Sequence, residues 1–292
     1  MGSTLRNSLK TSLKSSMIIL KLIIPIYILA DLLFYYNLLS HVSFILEPIT
    51  YFLDLPSAVA LSLISGMLLN IYAAIAFAAP LDLSPREWTI LGVYLGICHS
   101  LLVETAVMQR IGISKLYSVS LRIGAGLFIG FITTLLPHSL FSPLHVNATQ
   151  EKIPYDSLPA LLQNSLYESL ILSMQVIALI SILIFVMDFI KSLAFIKNYS
   201  EKVSSAFSIS IGVMLGITYG AGILISEYEK NTLSKKDILF IGTFLMICHA
   251  IVEDTLLFVI FGANLWVIIV LRVIFAFIFA YGLITIYQRK NS

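Results

Sequence analysis

One short pattern occurs twice in this chain. Ile97-Cys98-His99 is followed by Glu104, Thr105, Gly112 and Arg122; Ile247-Cys248-His249 is followed by Asp254, Thr255, Gly262 and Arg272. Each residue lies 150 positions from its twin, and the match runs back through Gly92/Gly242, Ser84/Ser234 and Leu83/Leu233. A 292-residue chain written this way is constrained to use one architectural unit twice. The repeated residues also include His99, Glu104, His249 and Asp254, all set inside long apolar runs. An ionisable group in hydrocarbon is costly and normally faces a partner or a wet cavity. The expectation is a membrane protein with a polar site where the two units meet.

Composition enters here as a check on the solvent. Hydrophobic residues make up 59% of the chain and charged residues 12%, and the mean hydropathy is +0.96, outside the range of soluble domains. The lipid bilayer is the first partner this implies. A net charge of +2, dispersed and without a basic run, argues against nucleic acid as a partner. No nucleotide-binding loop and no nucleophilic elbow is present, so neither an enzyme nor a cofactor is expected. The two cysteines, Cys98 and Cys248, sit at matched positions in apolar segments and suggest no disulfide framework.

Apolar segments fall at 17–36, 58–80, 88–108, 113–136, 166–190, 204–226, 238–260 and 263–287, each near the ~20 residues that cross a bilayer. Met17 to Tyr36 is too long for a signal-peptide core and reads as a retained helix. Ahead of it, Leu5, Leu9 and Leu13 run beside Arg6, Lys10 and Lys14, which makes 1–16 an amphipathic basic segment on the cytoplasmic surface or a basic tail. The division is then membrane repeat 1 over 17–136, an external loop over 137–165 and membrane repeat 2 over 166–288. Leu38 to Leu55, with His41, Glu47, Pro48 and Asp54, suits an interfacial or re-entrant piece.

Segments 58–80 and 204–226 differ from the rest. Ser62, Ser65, Gly66 and Asn70 sit in the middle of one, and Gly212, Gly216, Thr218, Gly220 and Gly222 in the other. Such residues serve tight helix packing, or a broken hairpin whose unwound backbone lines protein or a cavity. Positive charge separates the two readings. With eight crossings and the N-terminus inside, Arg110, Lys115, Lys191, Lys197 and Lys202 are stranded outside, a split of 10 to 5. If the two segments enter and return on one side, only Arg86 and Lys152 stay outside, a split of 13 to 2. The expected fold is therefore an all-α polytopic membrane protein of two inverted repeats, with six transmembrane helices plus two re-entrant or broken helical hairpins. Eight transmembrane helices in two parallel repeats is the alternative. Both termini are cytoplasmic, and the cell (plasma) membrane is the expected location.

His99 and Glu104 are five apart, about 140° around a helix, so they are expected on different faces. Glu253 shares a face with His249. The acid and the arginine stand 18 apart in both units, so Glu104 with Arg122, and Asp254 with Arg272, are expected to form intramembrane ion pairs. His99 and His249 remain as substrate contacts or proton carriers, with Glu253, Asn70, Tyr72, Thr218 and Tyr219 as further substrate-binding candidates. Tyr72 and Tyr219 match at an offset of 147. No pair of metal-ligand types has a chelating spacing on one helix apart from His249 and Glu253, so no metal site is expected.

The run Leu46-Glu47-Pro48, Leu55-Pro56, Leu83-Ser84-Pro85-Arg86-Glu87, Cys98-His99, Glu104, Gly112 and Arg122 resembles the nucleoside recognition, or Gate, domain of membrane proteins. Leu233-Ser234, Asp237, His249, Asp254, Gly262 and Arg272 repeat its later part more loosely. Relatives of that domain occur in concentrative nucleoside carriers, spore maturation membrane proteins and the membrane part of ferrous iron transport protein B. The resemblance implies a transporter-like fold with re-entrant hairpins and inverted repeats, and leaves the cargo open. The functional expectation is a secondary transporter of a small polar solute, nucleoside-like compounds among them, working by alternating access at a midplane site between the repeats. Protons or sodium are the coupling ions to consider, and a homo-oligomer is compatible. Two other readings stand beside it: a non-transporting membrane scaffold or assembly protein, and a divalent-metal permease relying on Cys98 and Cys248.

Overall fold

The computed structural model describes residues 2–36, 38, 46–141, 157–192, 225, 228 and 234–291. Among these residues every regular element is helical, as hydrocarbon demands of backbone that must satisfy its own N–H and C=O groups. Helix α1 (Gly2–Tyr35) continues without interruption through Pro25. The segment 1–16, expected to lie apart on the surface, instead supplies from Gly2 onward the first turns of this helix. The reason is packing: Ser8 and Ser12 are buried, bonded to Asp188 and Ser181 of a neighbouring helix.

After the short helix α2 (Glu47–Phe52) and a 3-10 turn at Ser57–Val59 come α3 (Ala60–Leu68) and α4 (Ile71–Ala78). These have nine and eight residues, each about half of what crosses a bilayer. They fold onto each other as a hairpin, with Ser62 Oγ donating to the Ala74 carbonyl at 2.8 Å. A Cβ on Gly66 would lie 2.7 Å from Leu95 and 2.9 Å from Ala74, so the absent side chain is what lets the hairpin close against its support. The hairpin expected at 58–80 is thus present. Its expected counterpart at 204–226, with Thr218 and Tyr219, lies outside the described residues apart from Ile225, as does His41.

The remaining helices are α5 (Pro85–Cys98), α6 (Leu101–Arg110), α7 (Lys115–Thr134), α8 (Leu158–Ser192), α9 (Lys235–Ile247), α10 (Ile251–Val259) and α11 (Leu265–Asn291). Helix α8 begins inside the stretch expected as an external loop over 137–165. Taking α5 with α6 and α9 with α10 as continuous crossings, six segments among the described residues are long and apolar enough to span a membrane, three in each half.

The two halves run in opposite directions. Asn264, at the start of α11, donates its backbone N–H to Thr89 Oγ1 near the start of α5, and Trp88 stacks on Phe261 with ring centroids 4.3 Å apart. At the other end, Ile113 in the α6–α7 turn packs on Gly242 in the middle of α9, and Tyr117 in the first turn of α7 bonds Thr243. Helices α1 and α8 are likewise antiparallel: Ser8 pairs with Asp188, Ser12 with Ser181, and Asp31 accepts from Ser165. Corresponding helices of the two units are therefore inverted, and the parallel-repeat alternative with eight crossings does not hold.

In a background with Cys98 and Cys248 changed to serine, a membrane-impermeant maleimide should label Asp82→Cys and Trp266→Cys from one side only. Lys115→Cys and Lys235→Cys should label from the other. Positions 82 and 266 reacting from opposite sides would contradict the antiparallel arrangement.

Candidate functional site

The matched helices α5 and α9 open with the same device. Ser84 and Glu87 form a capping box at the start of α5, and Ser234 and Asp237 form one at the start of α9. Fourteen and thirteen residues later both helices stop in mid-span. His99 is extended, and Ser100 takes the left-handed conformation with φ 49°; Cys248 leaves the helical region, and Ala250 is left-handed with φ 44°. The chain then resumes as α6 and α10. Gly112 and Gly262, with φ of 86° and 92°, make the next turns, a conformation glycine adopts without penalty.

A helix broken inside a membrane leaves carbonyls at its first half's end without partners, and water is not there to supply them. Arg122 and Arg272, both completely buried, take over. Arg122 Nε donates to the Ile97 carbonyl and Nη2 to the His99 carbonyl, each at 2.6 Å. Arg272 repeats this on Ile247 and His249 at 3.0 and 2.7 Å, and crosses to the Gly96 carbonyl of the other unit at 2.6 Å. A Cβ on Gly96 would stand 2.7 Å from the Arg272 guanidinium, so glycine opens that crossing.

Acids occupy the complementary ends. Glu104 lies in the first turn of α6, and Glu253 and Asp254 in the first turn of α10, where the helix dipole favours negative charge. Glu104 Oε2 is 2.7 Å from Arg122 Nη2, and Asp254 Oδ2 is 3.5 Å from Arg272 Nη1. Both pairings expected from the 18-residue spacing therefore form, although each arginine makes more bonds to backbone than to its acid.

The histidines meet in the middle, with ring centroids 5.1 Å apart. His99 Nε2 and His249 Nε2 each lie 3.1 Å from the same atom, Glu104 Oε1. Placing His99 and Glu104 on different faces is thus incorrect. The reckoning of 100° per residue assumed an unbroken helix, and the break at His99–Ser100 resets the angle. Asp254, one methylene shorter than its twin, makes no equivalent bridge and stands 3.9 Å from His99 Nδ1.

The structure also brings together ligand types that lie far apart in the sequence. His99, Glu104 and His249 each offer one ligand atom, all within 4.8 Å of one another and all buried. Spacing along a single helix could not reveal this group, because its members come from both units. The cysteines are not part of it: Cys98 Sγ donates to the Arg122 carbonyl at 3.0 Å, and both thiols are free and buried.

The hairpin tip docks on the same place. Ser100 donates its N–H to the Gly66 carbonyl and its hydroxyl to the Leu69 carbonyl. Asn70 caps α4 by accepting from the Ala73 N–H, so its side chain is engaged in holding the tip. Tyr72, on α4, donates its hydroxyl to Glu253 Oε1 at 2.8 Å. Two helix breaks and one hairpin tip thus enclose His99, His249, Glu104, Asp254, Glu253 and Tyr72. Sequence reasoning overlooked Asp31 and Asp188, which line the α1–α8 seam with serines. Their signal was the one used elsewhere, a carboxylate inside an apolar run.

With the geometry in view, comparison with known proteins adds one relative. The chain is 29% identical over 266 residues to the uncharacterized membrane protein YvoD of Bacillus subtilis, an alignment covering 87% of this chain and 85% of that protein. No family model matches the chain, and no solved structure matches it. The membrane character thus rests on six apolar helices and a membrane relative.

Replacing Arg122 by methionine should strand the Ile97 and His99 carbonyls together with the Glu104 charge, a loss of about 3–5 kcal/mol. It should appear as a large fall in melting temperature in detergent. Lysine at 122 should rescue little, because one ammonium cannot reproduce the forked donors. A melting temperature unchanged in Arg122→Met would remove the arginine from this role.

Proposed function

We propose that the protein is a secondary transporter, not an enzyme, moving a small polar solute by alternating access around the centre described above. The observation that carries the reading is the meeting of two mid-span helix breaks, in units of opposite direction, at one buried cluster of ionisable side chains. Membrane carriers built from inverted repeats place substrate and coupling ions at such interfaces, on the ends of discontinuous helices. A scaffold needs no break in a spanning helix and no charge at its middle, both of which cost stability.

In this reading His99, His249, Glu104 and Asp254 face the solute, Glu253 and Tyr72 form one wall, and Asn70 holds the hairpin tip. Thr218 and Tyr219 remain candidates from the second hairpin segment. Arg122 and Arg272 keep the breaks open without touching cargo. Protons or sodium would couple the movement, the termini would be cytoplasmic, and the plasma membrane is the natural setting. The resemblance to nucleoside recognition domains places nucleosides among the solutes to test.

Purified protein in proteoliposomes should accumulate at least one solute from a panel of nucleosides, other small polar compounds and divalent cations. His249→Gln should cut the initial rate at least ~10-fold while the detergent melting temperature stays near that of the parent. Absence of uptake and of thermal stabilisation across the whole panel would favour the scaffold reading.

A further inference from the structure

The central cluster poses a problem of hydrogen-bond chemistry. His99 Nδ1 lies 2.8 Å from the Leu95 carbonyl and His249 Nδ1 lies 2.9 Å from the Leu245 carbonyl. A carbonyl only accepts, so both Nδ1 atoms carry protons, and in a neutral ring the Nε2 atom presents a bare lone pair. Both Nε2 atoms are aimed at one carboxylate oxygen, Glu104 Oε1, at 3.1 Å. Three lone-pair atoms therefore converge with no proton required between them.

One added proton relieves only one of the two contacts. Two added protons relieve both, but set two cationic rings 5.1 Å apart beside two guanidiniums. A single multivalent cation at the centre satisfies all three atoms together. Metal bonds of about 2.0–2.2 Å place neighbouring donors roughly 3.0–3.5 Å apart; each Nε2 stands 3.1 Å from Glu104 Oε1, and all three donors lie within 4.8 Å of one another. The charge balance agrees: Glu104, Glu253 and Asp254 outnumber Arg122 and Arg272, so the surroundings retain one negative charge. The Nδ1–H bonds to backbone carbonyls are the outer support that orients imidazoles on metals.

We propose that this centre coordinates a first-row divalent transition-metal ion through His99 Nε2, His249 Nε2 and Glu104 Oε1. Two nitrogens and one oxygen select against Ca2+ and Mg2+, which prefer all-oxygen sets. Three protein ligands leave coordination positions open for water or exchange. The inference deepens the transporter reading by naming the cargo class, and it rests on that reading only for the ion's being cargo; coordination itself stands on the geometry.

The test uses the full chain purified in detergent, stripped with a chelator and then given Zn2+ or Co2+. One Zn2+ per chain should remain after desalting, and bound Co2+ should be displaced by Zn2+ but not by a large excess of Mg2+. His99→Gln and His249→Gln should each weaken Zn2+ binding by about 100-fold or more, at or beyond the upper end of the 10–100-fold typical of losing an outer partner. Cys98→Ser and Cys248→Ser should leave it in place, which separates this site from one built on thiolates. X-ray absorption of the Co2+ form of the unaltered protein should show a nitrogen and oxygen shell with two imidazoles and no sulfur, an answer independent of how any variant folds. Metal lost on desalting, a shell lacking imidazole, or equal competition by Mg2+ would overturn the proposal. Stoichiometric binding without uptake into proteoliposomes would keep the site and remove the metal as cargo. Uptake of another solute with no bound metal would keep the carrier and remove the site.

Discussion

The structure depends on how backbone carbonyls are satisfied where a helix stops inside a membrane. Two spanning helices break at matched places, and each break releases polar groups that hydrocarbon cannot accommodate. The response is a completely buried arginine from the following helix, bonded to the carbonyls of Ile97 and His99 in one unit and of Ile247 and His249 in the other. A guanidinium suits this task because its planar fork of donors reaches several acceptors at once and keeps its charge.

Much else follows from those two side chains. A buried guanidinium needs a counter-charge, and the acids stand in the first turns of α6 and α10, where the dipole already favours them. The arginines can reach their carbonyls only because a glycine turn folds each following helix back at the right depth. The units are joined through the same chemistry, since Arg272 reaches into the other unit at Gly96 and His249 reaches Glu104. The serine and aspartate seam between α1 and α8 makes a second connection, again by pairing polar groups that lipid would not solvate.

The duplication is not perfect, and its imperfections shape the centre. Glu104 spans from Arg122 to both imidazoles, whereas Asp254, one methylene shorter, stays with Arg272 and lies 3.9 Å from His99. Gly96 has Met246 at its matched position, so only one of the two arginines finds an opening to the opposite unit. Two nearly equivalent halves thereby enclose a site with one bridging carboxylate and not two.

The repeat, the helical class, the first hairpin, the inversion and the two acid–arginine pairs were all legible in the residues, because apolar length, positive charge and fixed spacing act through the solvent and need no knowledge of neighbours. Over 1–16 the basic stripe of Arg6, Lys10 and Lys14 is exposed, while Ser8 and Ser12 on another face meet a partner helix that no local pattern names. The angle between His99 and Glu104, and the grouping of His99, Glu104 and His249, escaped the sequence for one reason. Both arguments assumed a continuous helix considered alone, while a left-handed residue at Ser100 and another at Ala250 redirect the chain. Contacts between the units, such as that of His249 with Glu104, 145 positions away, exist only after two inverted halves have packed. Local pattern and the membrane's exclusion of polar backbone thus decided which pieces form, and long-range packing decided which of their side chains share a pocket.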